Sequence, residues 1–134
     1  MTKLLVIEGI GDVYAQKLQQ VGVQTVEALL ERGATPQGRQ ELAEVTGLGN
    51  KRILEWVNHA DLFRIKGVAE EYSDLLEEAG VDTVPELAQR NPENLFVKLK
   101  EVNAEKKLVR RVPPLSSVQS WVAQAKQLPR VIQY

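Results

Sequence analysis

The sequence predicts an all-α protein, built as two tandem pseudo-repeats of paired helices with about eight short helices in all. Three observations predict it: one phrase is written twice at a constant offset, apolar residues recur at helical spacing, and start and stop residues punctuate them. Ile7-Glu8-Gly9-Ile10-Gly11 is followed by Tyr14, Leu18, Gly22-Val23, Thr25-Val26 and Leu29. Fifty-eight positions later stand Ile65-Lys66-Gly67-Val68-Ala69, then Tyr72, Leu76, Gly80-Val81, Thr83-Val84 and Leu87. The offset runs without a gap to Arg32 and Arg90. Self-similarity at a fixed period decides an architecture before any single residue does.

The elements follow in order. Residues 4–7 and their partners 62–65 are too short for a lasting strand and are expected as lead-ins to a hairpin. Ile10, Val13, Tyr14, Leu18 and Val21 keep the i, i+3, i+4 rule, which puts one apolar face on a first helix. Gly22 should end it, because glycine takes the left-handed conformation without a Cβ clash. Thr25 should cap a second helix carrying Val26, Leu29 and Leu30. Gly80 and Thr83 repeat this grammar, Glu86 is expected to complete a Thr-x-x-Glu capping box, and Pro85 sits where a missing N–H costs little. Thr35-Pro36 and Asn91-Pro92 each open a third helix. Leu42 and Val45 answer to Leu99 and Val102.

Ile53, Trp56, Val57 and Ala60 mark a fourth helix, matched by Val118, Trp121, Val122 and Ala125 at an offset of 65. The second copy therefore carries roughly eight extra residues between Asn103 and Ser117. That insert includes Arg110-Arg111-Val112-Pro113-Pro114, an ordered loop or a linker, since paired prolines cannot lie inside a helix. Ser116 or Ser117 is the expected cap of the last helix, Leu128-Pro129 its end, and 130–134 a short tail. The domains are expected at 1–64 and 65–134. A unit of about 60 residues buries only about 60% of its unfolded surface, so the two copies are expected either to share an interface or each to depend on close packing of its own helices.

Composition limits the function. The chain has 134 residues, no cysteine and one histidine, His59. Disulfides, thiolate chemistry and Cys or His metal clusters are excluded, so no metal and no cofactor is expected. His59 is expected at a solvated surface position. No run of about 18 apolar residues offers a membrane span, and a cytoplasmic protein is expected. The net charge is −1, without the basic excess of a dedicated nucleic-acid binder. The charge is uneven, however. Residues 70–86 carry seven acids and no base, and 98–111 carry six bases against Glu101 and Glu105. Such blocks are commonly solvated helix faces, and they also steer charged partners.

One segment could carry chemistry. Thr46-Gly47-Leu48-Gly49-Asn50-Lys51-Arg52-Ile53 falls between the third and fourth helices. Glycines let the backbone approach a ligand, and the following helix start offers unpaired N–H groups with a partial positive charge. That combination favours phosphate, and Lys51 and Arg52 would add charge-assisted contacts.

With those residues in view, the chain resembles the helix-hairpin-helix superfamily, whose motif runs apolar-x-Gly-apolar-Gly-x-(Lys/Arg). The phrase Ala79-Gly80-Val81-Asp82-Thr83-Val84-Pro85-Glu86-Leu87 looks like its repeat proteins. The paired layout with Trp-Val-x-x-Ala endings resembles an uncharacterised bacterial domain family of duplicated, partly degenerate helix-hairpin-helix repeats, over about residues 4–127. The resemblance implies a grip on nucleic-acid backbone phosphates without base reading. It does not imply an activity.

Three of the four hairpin positions depart from the pattern. Gly9-Ile10-Gly11 continues with Asp12, which repels phosphate but suits a helix start. Gly67-Val68-Ala69 continues with Glu70-Glu71. Asn103-Ala104-Glu105 has lost the glycines. A tight turn between packed helices is the plain reading of the first and third. For the second, the turn and the phosphate site both stay open. The candidate nucleic-acid-binding residues are Gly47, Leu48, Gly49, Asn50, Lys51 and Arg52. A secondary basic patch comprises Lys98, Lys100, Lys106, Lys107, Arg110 and Arg111. Tyr14, Tyr72, Trp56 and Trp121 could stack on bases, but repeated aromatics at helical spacing read first as core.

No Gly-x-Ser-x-Gly elbow, Walker spacing or third fingerprint glycine is present, and no catalytic residue can be nominated, so no enzyme is expected. The expected function is a non-catalytic helix-hairpin-helix module making sequence-nonspecific contact to a nucleic-acid backbone through the second hairpin. The alternative is a protein-interaction or scaffold module that has lost nucleic-acid binding.

Overall fold

The structure, a computed structural model, describes residues 3–7, 9–68 and 70–134, with Glu70 described by its backbone only. Glu8 and Ala69, read above as parts of the first and third hairpins, lie outside the described residues. Within the described residues the fold is all-α, with eight α-helices, one 3-10 turn and a single isolated β-bridge from Lys3 to Thr25. The chain divides into two compact units. One comprises Met1–Asp61 and Val131–Tyr134, and the other Leu62–Arg130.

The first unit opens with the 3-10 turn Leu4–Val6 and continues through α1 (Asp12–Gln20), α2 (Val26–Arg32), α3 (Pro36–Thr46) and α4 (Asn50–Leu62), the last residue of which, Leu62, is counted with the second unit. Helices α1 and α2 both pack on α3. Leu18, Val23, Leu29, Leu42, Ile53 and Val57 are fully buried. Each such side chain contributes about 1.5–3 kcal/mol relative to exposure. The capping reading holds at both Thr-x-x positions: the Thr25 hydroxyl accepts from the Ala28 N–H and the Thr35 hydroxyl from the Gly38 N–H, each at 3.1 Å. Helix α1 is shorter than its apolar period. Ile10 is buried in the hairpin before it, and Val21 is its C-cap.

The second unit holds α5 (Glu70–Glu78), α6 (Val84–Ala88), α7 (Pro92–Lys106) and α8 (Leu115–Gln127). Helices α6 and α7 pack on α8, and α5 on α7. The core centres on Leu76, Val81, Leu87, Leu95, Leu99, Val118 and Trp121. The Asn91 side chain caps α7 by accepting from the Asn94 N–H.

Matching contacts occur in the two units. The turns after α1 and α5 use Gly22 at φ +89° and Gly80 at φ +93°. Arg32 donates to the Val21 carbonyl, and Arg90 to the Ala79 carbonyl. The Tyr14 and Trp56 rings lie 5.7 Å apart, and those of Tyr72 and Trp121 lie 5.4 Å apart. Both indoles are buried, which favours core over stacking platform.

Three expectations are corrected. Neither Ser116 nor Ser117 caps α8: the helix begins at Leu115, and Pro114 precedes it, its carbonyl accepting from the Ser117 and Val118 N–H groups. Glu86 does not close a reciprocal capping box: its carboxylate accepts from the Asp82 N–H, one residue before the Thr83 cap. His59 is buried, not solvated, being only 7% exposed. The insert is an ordered loop. Asn103 holds it at two points, donating to the Val109 carbonyl at 3.0 Å and accepting from the Val109 N–H at 2.9 Å.

Candidate functional site

The second hairpin starts where α3 stops. Gly47 takes the left-handed conformation at φ +74° and donates its N–H to the Ala43 carbonyl. Thr46 is buried beneath it. Its hydroxyl donates to the Leu42 carbonyl at 2.7 Å and accepts from the Leu48 N–H at 3.3 Å, which fixes the turn from within. The first intrahelical bond of α4 runs from the Ile53 N–H to the Gly49 carbonyl. The amides of Asn50, Lys51 and Arg52 therefore have no acceptor inside the helix. Glycine at position 49 has no side chain to cap them, and the first turn of α4 contains no acid.

The residues that carry these groups reach the surface. Gly47, Gly49, Asn50, Lys51 and Arg52 are exposed and Leu48 is half-buried. A Cβ added at Gly49 would meet no atom within 4 Å, and its φ is not positive, so neither sterics nor conformation requires glycine there.

Two cations that the sequence did not flag join the hairpin. Lys17 reaches from α1 to donate to the Thr46 carbonyl at 3.2 Å. Arg39 of α3 lines an open hollow of about 340 Å³ together with Pro36, Asn50, Lys51 and Leu54. Arg39 is buried, and its guanidinium donates to the Gly33 carbonyl at 2.9 Å and the Gln133 carbonyl at 2.7 Å. Burial pulls its pKa below the ordinary arginine value, while Tyr134 acts the other way. Only their spatial approach to the hairpin marks Lys17 and Arg39, and no local motif carries that signal.

The other hairpin positions are dressed differently. At the first, Asp12 sits in the first turn of α1 and cancels its positive end. At the third, the Gln124 side chain accepts from the Lys66 N–H at 2.9 Å and donates to the Lys66 carbonyl at 3.1 Å. The exposed Glu71 follows in α5. At the fourth, Asn103, Ala104 and Glu105 are still inside α7.

The basic segment does not form one face. Lys98 and Lys100 are two residues apart on α7, about 200° around its axis. Lys106 donates to the Glu78 carboxylate, which raises the lysine's pKa by hydrogen bonding and attraction. Lys100 lies over the Phe96 ring. Lys107, Arg110 and Arg111 are exposed around the loop.

A family model described as Domain of unknown function (DUF4332) matches residues 8–128. The chain belongs to that family. No curated protein and no solved structure gives a significant match. All four hairpin positions fall inside the DUF4332 domain, and Tyr134 lies beyond the matched range. No helix among the described residues of this DUF4332 protein is long and apolar enough to cross a membrane.

Proposed function

We propose that this chain is a non-catalytic module that holds a nucleic-acid backbone, without reading sequence, through the hairpin at 47–52. The finer affinity with helix-hairpin-helix proteins belongs to this reading, as does a common origin for the two units. The carrying observation is the exposed start of α4: amides ahead of the first intrahelical bond, no acid in the first turn, and Lys51 and Arg52 beside them. Phosphate suits such a start because the N–H groups and the helix dipole act together. Lys17 and Arg39 add positive charge from two other helices. The protein-interaction alternative leaned on opposed charged stretches. The Lys106–Glu78 pair already joins those stretches within the second unit.

Titration of labelled duplex and single-stranded DNA and RNA tests the reading. A dissociation constant on the order of 10⁻⁴ to 10⁻⁶ M is expected at physiological salt. Three phosphate contacts give a salt slope of about −2.7 on duplex DNA, or about 40-fold weaker binding between about 50 and about 200 mM salt. Lys51→Glu/Arg52→Glu should weaken binding and flatten that slope. Absence of binding at low salt, or an unchanged slope in the double variant, refutes the proposal.

A further inference from the structure

The hollow beside the hairpin is lined by the first two turns of α4. Asn50, Leu54 and Asn58 recur every four residues and form one stripe about 12 Å long. Asn50 and Leu54 line the hollow, and Asn58 accepts from the Tyr134 hydroxyl at 3.2 Å. Tyr134 is 59% exposed, yet it is held at both ends. Its ring lies 5.9 Å from the Arg39 guanidinium carbon, and its hydroxyl is on Asn58. The chain leading to it is fixed as well. Ile132 is buried, the Gln133 N–H donates to the Ala34 carbonyl at 2.7 Å, and the Gln133 carbonyl accepts from Arg39. Arg39 thus belongs to both the hollow and the tyrosine platform. An exposed aromatic with its orientation already fixed loses little freedom when a flat ring stacks on it.

We propose that Tyr134 stacks one base of a single-stranded nucleic acid whose backbone runs along this stripe of α4. The inference rests on the backbone-binding reading above and adds the strand state and the stacking residue. Phosphates of one stacked strand rise about 3.4 Å per nucleotide, so a stripe of about 12 Å corresponds to roughly three to four nucleotides, and a base on Tyr134 and a phosphate at Lys51 belong to one short stretch. In a duplex the bases are stacked inside and the ring has no face to meet. Stacking accepts any base, which agrees with contact that ignores sequence.

The test compares a short oligothymidylate with an abasic oligonucleotide of equal length and charge at about 50 mM salt. Wild type should bind the abasic strand about fivefold to about 100-fold more weakly. Tyr134→Ala should bind both strands alike, at the level of wild type on the abasic strand. Tyr134→Phe keeps the ring without the Asn58 bond and should retain the preference. Lys51→Glu/Arg52→Glu should weaken both strands equally. Equal binding of the two strands by wild type overturns the stacking proposal and leaves the backbone reading standing. No binding of either strand overturns both. Thymidine monophosphate binding as tightly as the oligonucleotide would make the stripe a mononucleotide site and would also overturn the proposal.

Discussion

Gly38 lies in the first turn of α3, where sequence alone favours alanine. Replacing a helical glycine by alanine gains about 0.5–1 kcal/mol in helix propensity. The structure reverses the sign. A Cβ at position 38 would lie 2.0 Å from the Arg32 carbonyl oxygen and 3.2 Å from the Thr35 hydroxyl. The obstructing atom is backbone at the end of α2, so it cannot swing aside as a long side chain would. Relief requires the end of α2 to move away from α3 by more than about 1 Å, against the buried Leu29, Leu30 and Leu42. It also disturbs the Thr35 cap, which alone is worth about 1 kcal/mol. Overpacking of this kind costs about 1–3 kcal/mol or more. Net of the propensity gain, Gly38→Ala should destabilise by about 1–3 kcal/mol. Urea unfolding followed by far-ultraviolet circular dichroism checks it. With a slope of about 1–3 kcal/mol per molar, the midpoint should fall by about 1 M. A midpoint equal to or above wild type would show that the two helices do not approach so closely, and the reasoning would fail.

Two further outcomes follow from the loop after α7. Asn103→Ala should leave the Val109 N–H and carbonyl without their partners, at a cost of about 1–3 kcal/mol; faster hydrogen exchange at the Val109 amide is the direct readout, and unchanged exchange would count against the clamp. Lys107 is the only non-glycine with positive φ among the described residues, at φ +52°. Lys107→Gly should stabilise by about 0.5 kcal/mol, because the left-handed penalty of a side chain outweighs glycine's extra entropy; a lower thermal midpoint would contradict it.

Much of this was legible in the chain because it was local. Thr25, Thr35, Thr83 and Asn91 each cap the helix assigned to them, since a cap is a contact over three residues. The hairpin at 47–52 was legible for the same reason: Gly47 needs its left-handed turn and α4 starts just beyond. What escaped was long-range or lay in the backbone. The α8 start uses no side-chain hydrogen bond at its cap, so a search for capping serines misleads. His59 and Asp61 are buried on α4 beside Trp56 and Ala60. A hydropathy period counts such polar positions as surface, because it sees no tertiary partners. Lys17 reaches the hairpin across 29 residues, and Arg39 meets Gln133 across 94. Neither proximity has a local signature.

The Tyr–Trp pairs make each unit its own optical probe. The chain has two tryptophans, Trp56 in the first unit and Trp121 in the second, each buried against one tyrosine. Tyrosine passes its excitation to an indole at such separations, so each intact unit glows mainly as tryptophan. Water reaching either indole shifts that emission to the red. Single-tryptophan versions, Trp56→Phe and Trp121→Phe, would each report on one half, so their melting curves can be read against each other to see whether the halves come apart together or in turn.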